Sequence, residues 1–305
     1  GKYIINWCPR CQTALADQEA AHREVRRKLS HLKYPRPDGR GFVVVATTRP
    51  ETMLGDTAVA VNPKDERYSS LIGSTLILPL VNRQIPVIAD DFVDREFGTG
   101  AVKVTPAHDP NDFQMGLRHE LETVVVMDEA ARMCGPIPEK YIGLDRAEAR
   151  RKVIEDMGAL GFIEKIDDHT HAIGHCYRCD TMVEPYYSDQ WFVKMEPLVK
   201  PALQAALEDN VRFFPPRWRR TYIDWMENIR DWCISRQIWW GHQIPAWYVI
   251  SRTEGRKTGE TPVIVALTEE DARRKAKVRF GPDVVLRQEE DVLDTWFSSD
   301  RKSVV

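Results

Sequence analysis

The sequence predicts a mixed α/β protein whose centre is a β-barrel-like or strongly curved sheet of short strands with peripheral helices. Three observations carry that expectation. From Phe42 onward, short β-branched and aliphatic runs follow one another closely, separated by Pro, Asn, Asp and Gly turn chemistry. Segments with apolar residues at three- and four-residue spacing interrupt them and read as helices. Two C-x-x-C pairs, Cys8 with Cys11 and Cys176 with Cys179, bracket the whole region.

In chain order, Gly1-Lys2-Tyr3 leads into an apolar strand-like segment with neither an initiator Met nor a signal-peptide pattern. A polar stretch follows the first Cys pair and runs through Asp38-Gly39-Arg40-Gly41. The β-branched run at 42–48 then reads as a buried strand, with further short strands at 58–61, 76–78, 85–88 and 101–104. Helices are expected over 109–120, 144–157 and 197–207. After Phe214-Pro215-Pro216 the character changes to Trp-rich helical sequence over 218–240, which marks a second domain piece. The run Asp294-Thr295-Trp296-Phe297-Ser298-Ser299 reads as folded protein and stops within a few residues, so both ends are expected to be cuts in a longer chain. There is no internal repeat and no low-complexity tract.

With 305 residues and 43% hydrophobic content, the chain can bury a substantial core as one large domain or two, which excludes a disordered or fibrous protein. Its net charge of −3 supplies no global field for nucleic acid, so any such contact must be local. Arg217, Arg219 and Arg220 beside Trp218 and Tyr222 could pair phosphates and stack bases, and read equally well as a solvated helix face. No apolar run reaches bilayer length, and a cytoplasmic protein is expected.

The two Cys pairs have metal-knuckle spacing. Each can place two thiolates on one side of a tetrahedral ion, and together they complete a closed structural site. One structural zinc ion, held by Cys8, Cys11, Cys176 and Cys179, is the expected occupant, stapling the two ends of an inserted domain. Two matching knuckles without a secretory signal argue against a disulfide or thioredoxin-like motif. Cys134 and Cys233 read as ordinary thiols.

Two segments could carry chemistry: Thr47-Thr48-Arg49-Pro50-Glu51-Thr52 at the end of one strand, and the run from Gly98 to Asp112 spanning another. They offer hydroxyls, a guanidinium, an ammonium, an imidazole and two carboxylates, which suits a ligand carrying both a cation and an anion. Asp109 also reads as a helix N-cap, with Pro110 at the first helical position and Asp112 in the first turn, and a capping carboxylate can still present its other oxygen to a ligand. Thr99 between two glycines reads first as a tight turn. His108 reads as a structural hydrogen-bonder rather than a base. The pleat argues against Lys103 being a surface charge, because Val102 and Val104 face the other way.

These segments resemble the class I synthetases for branched aliphatic amino acids, the valyl-tRNA synthetases in particular. The resemblance covers essentially the whole chain. It rests on Asn6-Trp7-Cys8-Pro9-Arg10-Cys11, on ATTRPETMLGDTAVAV from Ala46, on GTGAVKVTPAHDPNDF from Gly98, on DWCISRQIWWGHQIPAWY from Asp231, and on DVLDTWFSS from Asp291. It implies a zinc-knuckle segment at 1–38, a connective insertion with a β-rich editing domain at 39–168, a second knuckle and connecting segment at 169–216, and part of the class I nucleotide-binding fold at 217–305. Neither the HIGH-like nor the KMSKS-like motif is present, so amino-acid activation and ATP binding are not expected of this chain. Residues 249–287 lack the second Cys cluster that some relatives carry, and 300–305 depart from the family pattern.

The function implied is post-transfer editing, the hydrolysis of threonine esterified to tRNA specific for valine. A valine pocket rejects the near-isosteric threonine by only about a hundredfold, so a second pocket that hydrogen-bonds the hydroxyl must supply the rest. Position for position, Asp109 would bind the α-ammonium and Asp112 the side-chain hydroxyl, with Thr48, Thr52 and Thr105 on the substrate. Lys103, grouped with the two aspartates as catalytic, would hold the terminal adenosine together with Arg49. The expected partner is the tRNA acceptor end, and the expected state a monomer. The alternatives are a non-catalytic zinc-stapled tRNA-binding module and isoleucyl-type editing of valyl esters.

Overall fold

The computed structural model describes residues 1–250 and 261–299. The chain forms two compact units, Gly1–Asp189 and Gln190–Val305.

In the first unit, the polar stretch expected after the first Cys pair contains a 16-residue strand, Ala20–Pro35. It pairs antiparallel with Ile163–Cys176 along its length and with Phe42–Thr47 at its inner end. The strand escaped the pattern because Arg23, Glu24, Arg26, Arg27 and Lys28 put charge on both faces, leaving no alternation to detect. That outer half is an exposed two-stranded ribbon, while Ser30, His31, Leu32 and Tyr34 at the inner end are buried.

The expected short strands form at Phe42–Thr47, Ala58–Val61, Thr75–Leu78, Arg83–Ala89 and Ala101–Val104. The last four make one sheet, in the order Thr75–Leu78, Arg83–Ala89, Ala58–Val61, Ala101–Val104, with only the middle pair parallel. Ala58–Val61 is buried on both faces. One face joins the main core with Leu32, Val45 and Met53, which helix Arg146–Ala159 closes through Ala149, Val153 and Met157. On the other face Ala58, Ala60 and Val104 pack against Met115 of helix Pro110–Arg118. Each fully buried aliphatic side chain here stabilises by about 1.5–3 kcal/mol.

The expected barrel does not close among the described residues. Strand Phe42–Thr47 lies near Ala101–Val104, and Ala20–Pro35 near Thr75–Leu78, but no ladder joins the two sheets. Closure needs staggered strands that keep their hydrogen-bond register around the cylinder. The four-residue strands end before they can provide it, and packed side chains seal the gap instead.

A third sheet forms the stem. Lys2–Cys8 lies between Glu184–Asp189 and Thr13–Leu15. Its register sets Trp7 opposite Glu184, and the ribbon sets Ala20 opposite Cys176, so the two ends of the unit meet at the cysteines. The turn around Thr99 forms as expected, with Gly98 and Gly100 at φ of 62° and 76°. A Cβ on Gly100 would lie 3.0 Å from the Arg95 carbonyl oxygen, so a side chain there meets both strain and a clash.

In the second unit, helices Glu196–Leu207, Trp218–Glu227 and Glu269–Phe280 accompany the three-stranded sheet of Val263–Val265, Ala246–Val249 and Leu286–Gln288. The Trp-rich helix expected to reach Trp240 stops at Glu227. Beyond it, Trp232–Cys233 pairs with Phe192–Val193, and Ser235–Arg236 pairs with Val292–Leu293. The cause is Arg236, which is buried in an ion pair with Asp294 and also donates to the Cys233 and Ser235 carbonyls, holding the segment extended. Of the basic patch, Arg219 is committed to the carbonyls of Ala206 and Leu207, while Arg220 stays exposed beside Asp224. No helix among the described residues is long and apolar enough to cross a membrane. Residues 300–305, which depart from the family pattern, lie outside the described residues.

Candidate functional site

Two strand ends in the first unit deliver the candidate residues to one place. Phe42–Thr47 leads into Thr48 and Arg49 and then into the 3-10 turn Pro50–Gly55, and Ala101–Val104 leads through Thr105 to helix Pro110–Arg118. Asp109 is the N-cap of that helix, as expected, accepting from the amides of Asn111 and Asp112 at 2.8 and 3.1 Å. The helix holds Asp112 over the strand end, where its Oδ2 accepts from the Thr105 amide at 2.8 Å. Oδ1 of Asp112 takes no hydrogen bond among the described residues. Burial, with the neighbouring Asp109 charge, pushes the Asp112 carboxyl up to about 7. A carboxyl that changes charge near neutrality and has one unengaged oxygen can accept a bond from a ligand hydroxyl or ammonium.

Lys103 is buried, and its ammonium lies 3.3 Å from Oδ1 of Asp56. It also donates to the hydroxyl of Thr105, which itself donates to Asp56 at 2.6 Å. Tyr34 completes this group by donating to Oδ2 of Asp56 at 2.7 Å. Burial raises the Asp56 carboxyl, with Lys103 and the hydrogen bonds opposing it. Sequence reasoning passed over both Asp56 and Tyr34. The only available signal was a charged residue set between Leu54-Gly55 and the apolar strand from Ala58.

His108 is the structural group it was read as. Its Nε2 accepts from the Val126 amide at 2.9 Å, and burial, with Arg49 and Lys103 nearby, lowers the imidazole to about 3. The ring is neutral and committed. Thr52 is buried, with its hydroxyl on the Arg49 carbonyl at 3.0 Å. The Thr48 hydroxyl forms no hydrogen bond among the described residues, and Thr48 lines a cleft with Arg49 and Asp109.

Arg49 is held on three sides. It donates to the His108 carbonyl at 2.7 Å, lies 3.7 Å from Glu51, and pairs closely with Glu184. Glu184 also pairs with Arg146, and Glu51 receives a two-pronged bond from Arg150 at 2.8 and 2.6 Å. Burial pushes the Glu51 carboxyl up, but the bonds and charge of Arg150, with Arg49, outweigh it and hold the group below its ordinary value. Glu51→Gln leaves Arg150 with an uncompensated buried charge and should destabilise the protein by about 3 kcal/mol in urea denaturation near neutral pH. Because the folded carboxyl titrates below its unfolded value of 4.5, its contribution is complete above that pH and is lost as pH falls through the lower folded value. The gap between variant and parent should therefore close in acid.

At the stem, the Sγ atoms of Cys8, Cys11, Cys176 and Cys179 all lie within 4.8 Å of one another. Tetrahedral thiolate coordination of zinc spaces its sulfurs roughly 3.8 Å apart, so the donor set and its spacing fit a closed four-thiolate site. Cys8 and Cys176 are fully buried among Leu15, Ala20 and Val183. Cys134 and Cys233 stand apart from this group.

The family model of class I tRNA synthetases (I, L, M and V) matches residues 1–304, and the chain belongs to that family. Among curated proteins it is similar to the valine--tRNA ligase of Thermotoga maritima, 56% identical over 299 residues or 98% of the chain. It is likewise similar to the valine--tRNA ligases of Petrotoga mobilis, at 55% over 299 residues, and Geobacter sulfurreducens, at 56% over 297. The chain spans about a third of the length of these relatives, 33%, 33% and 32% respectively.

Proposed function

We propose that residues 39–168 of the first unit form the editing domain of a valyl-tRNA synthetase and hydrolyse the ester that joins threonine to tRNA specific for valine. The observation that carries this reading is the buried Asp112, which keeps one carboxylate oxygen unengaged near the Asp109 charge while the other accepts from the Thr105 amide. Such a pocket separates threonine from valine by hydrogen bonding. A threonine hydroxyl donates to Oδ1 of Asp112, whereas a valine methyl would leave a buried carboxylate without a partner.

The remaining roles follow from charge and position. Asp109, its second oxygen unengaged by the cap, takes the α-ammonium. Thr48, Thr52 and Thr105 line the substrate. Arg49 faces the terminal adenosine from the cleft side, and Lys103, fixed by Asp56, sets the positive potential under Thr105. Water attacks the ester carbonyl, oriented by the substrate's own ribose hydroxyl, because His108 is committed to the Val126 amide and cannot serve as base. One zinc ion on the four cysteines holds the stem and takes no part in the reaction. In this reading the chain comprises a knuckle segment at 1–38, the editing domain at 39–168, a second knuckle with its connection at 169–216 and a partial catalytic segment at 217–305. Its partner is the tRNA acceptor end.

The deciding measurement is deacylation by the purified chain of threonyl and valyl esters on the same tRNA. Cleavage of the threonyl ester alone supports the reading. Cleavage of neither ester by folded protein leaves a tRNA-binding module, and cleavage of valyl esters on tRNA specific for isoleucine points to the isoleucyl pocket.

A further inference from the structure

We propose that the stem strand Glu184–Asp189 is a positioning element of the candidate site, with Glu184 and His108 as the residues through which the four-cysteine cluster fixes Arg49 and Asp109 in place. The consequence for ester hydrolysis rests on the function proposed above; the strap itself rests on the contacts alone.

The strand leaves the cysteines through Val183, a member of the buried cluster around Cys8 and Cys176. The next two residues reach the site. Glu184, buried and opposite Trp7 in the stem register, pairs with the Arg49 guanidinium. Arg49 donates in turn to the His108 carbonyl at 2.7 Å. The His108 ring is buried and hydrogen-bonds the Pro185 backbone. Proline has no N–H, so its carbonyl accepts. Because Nε2 already accepts from the Val126 amide at 2.9 Å, the proton of the neutral ring sits on Nδ1, which is the donor. Glu184, Arg49, His108 and Pro185 thus close a ring between one stem strand and the two segments that carry the candidate residues.

Two further contacts brace the same segments. Trp7, the residue before Cys8, donates from Nε1 to the Glu129 carbonyl at 2.8 Å, in the stretch that also supplies the Val126 amide. Phe113, the residue after Asp112, meets Tyr3 and Tyr187 of the stem with ring centroids 5.9 and 5.8 Å away. Asp109 and Asp112 are therefore bracketed by His108 and Phe113, and both of these touch the stem. A helix cap fixes its own backbone but not its distance from a second segment such as the one bearing Arg49, and a misplacement of about 1 Å can cost on the order of a hundredfold in rate. Burial makes the ties hard to break, because a parted Nδ1–H and carbonyl would find no water to replace them.

Two amide replacements of His108 separate the strap from ordinary packing. Asn places its amide near Nδ1 and keeps the bond to Pro185, whereas Gln places its amide near Nε2, keeps the bond to Val126 and cuts the strap. Each loses one buried hydrogen bond, so the two should lose similar Tm. With the whole chain and threonyl esters on tRNA specific for valine, His108→Gln should lower kcat about tenfold with KM changed by less than about twofold, and His108→Asn should retain most of the rate. Cys176→Ser, assayed well below its Tm, should lower kcat by a similar factor and add little to His108→Gln in the double variant. The His108 Nδ1–H, followed by NMR, should be protected from solvent exchange in the parent and exchange about tenfold faster in Cys176→Ser. Rates that track Tm in both His108 variants, full multiplication of the Cys176→Ser and His108→Gln effects, or Nδ1–H exchange that ignores Cys176→Ser each overturn the proposal. Should His108→Gln not fold, the exchange measurement decides alone. A parent that cleaves no ester but whose Nδ1–H responds to Cys176→Ser leaves the strap standing and removes only the editing reading.

Discussion

Asp112→Ala is expected to lower threonyl-ester hydrolysis by about a hundredfold or more, the usual effect of deleting one buried polar partner of a reacting group, while leaving the chain folded. The fold should survive because two effects oppose each other. Truncation strands the Thr105 amide that Asp112 now satisfies, a loss of about 1–3 kcal/mol. It also removes a buried carboxylate whose ionisation the folded state resists.

Asp112→Asn separates these effects, since its amide oxygen can still accept from Thr105. The parent carboxyl ionises above 3.8 when unfolded but only near 7 when folded, so its cost to stability builds up between those values and is constant above them. Asp112→Asn should therefore match the parent at pH 4 and exceed it in Tm at pH 8. Parent hydrolysis should rise with pH through about 7 as Oδ1 gains its charge. Full activity in Asp112→Ala, or a rate flat across that range, would remove Asp112 from the role given to it.

Removing metal from the proposed four-cysteine centre is the second large effect expected. The stem's apolar cluster consists of little beyond the cysteines themselves with Leu15, Ala20 and Val183, so an ion bound there would supply much of what holds 1–19 to 176–189. Structural zinc in small domains binds with an apparent free energy of about 10–16 kcal/mol. The main core of the first unit is independent of the stem, so a smaller loss is expected here, about 4 kcal/mol, or roughly a 10 °C fall in Tm. Cys176→Ser should show the same fall without chelator, and chelator should add little to it. Elemental analysis should return one zinc per chain. A Tm that ignores both chelation and Cys176→Ser would mean that the hydrogen-bonded sheet of Lys2–Cys8 holds the stem unaided.

The long-range pairings explain why the network behind the site was not anticipated. Tyr34 and Asp56 are 22 positions apart, Glu51 and Arg150 are 99 apart, and Arg49 and Glu184 are 135 apart. No periodicity links such positions. Arg27 and His171 belong to a ribbon whose charged faces hid it altogether.

By itself the sequence determined what depends on neighbours along the chain. Cysteine spacing marked the two pairs that cluster as four thiols, β-branched runs marked the strands from Phe42 to Val104, and Asp109-Pro110 marked the start of a helix, because a cap, a knuckle and a pleat are each set within a few residues. Resemblance to a family, rather than composition, gave roles to Asp112, Lys103 and Thr105. Only the tertiary structure decided that the sheets stay open, that Lys103 is tied to Asp56, that Arg49 stands between two acids, and that Arg27 bonds the Met182 sulfur. Burial and charge balance are properties of what the whole fold brings together, and a linear pattern does not contain them.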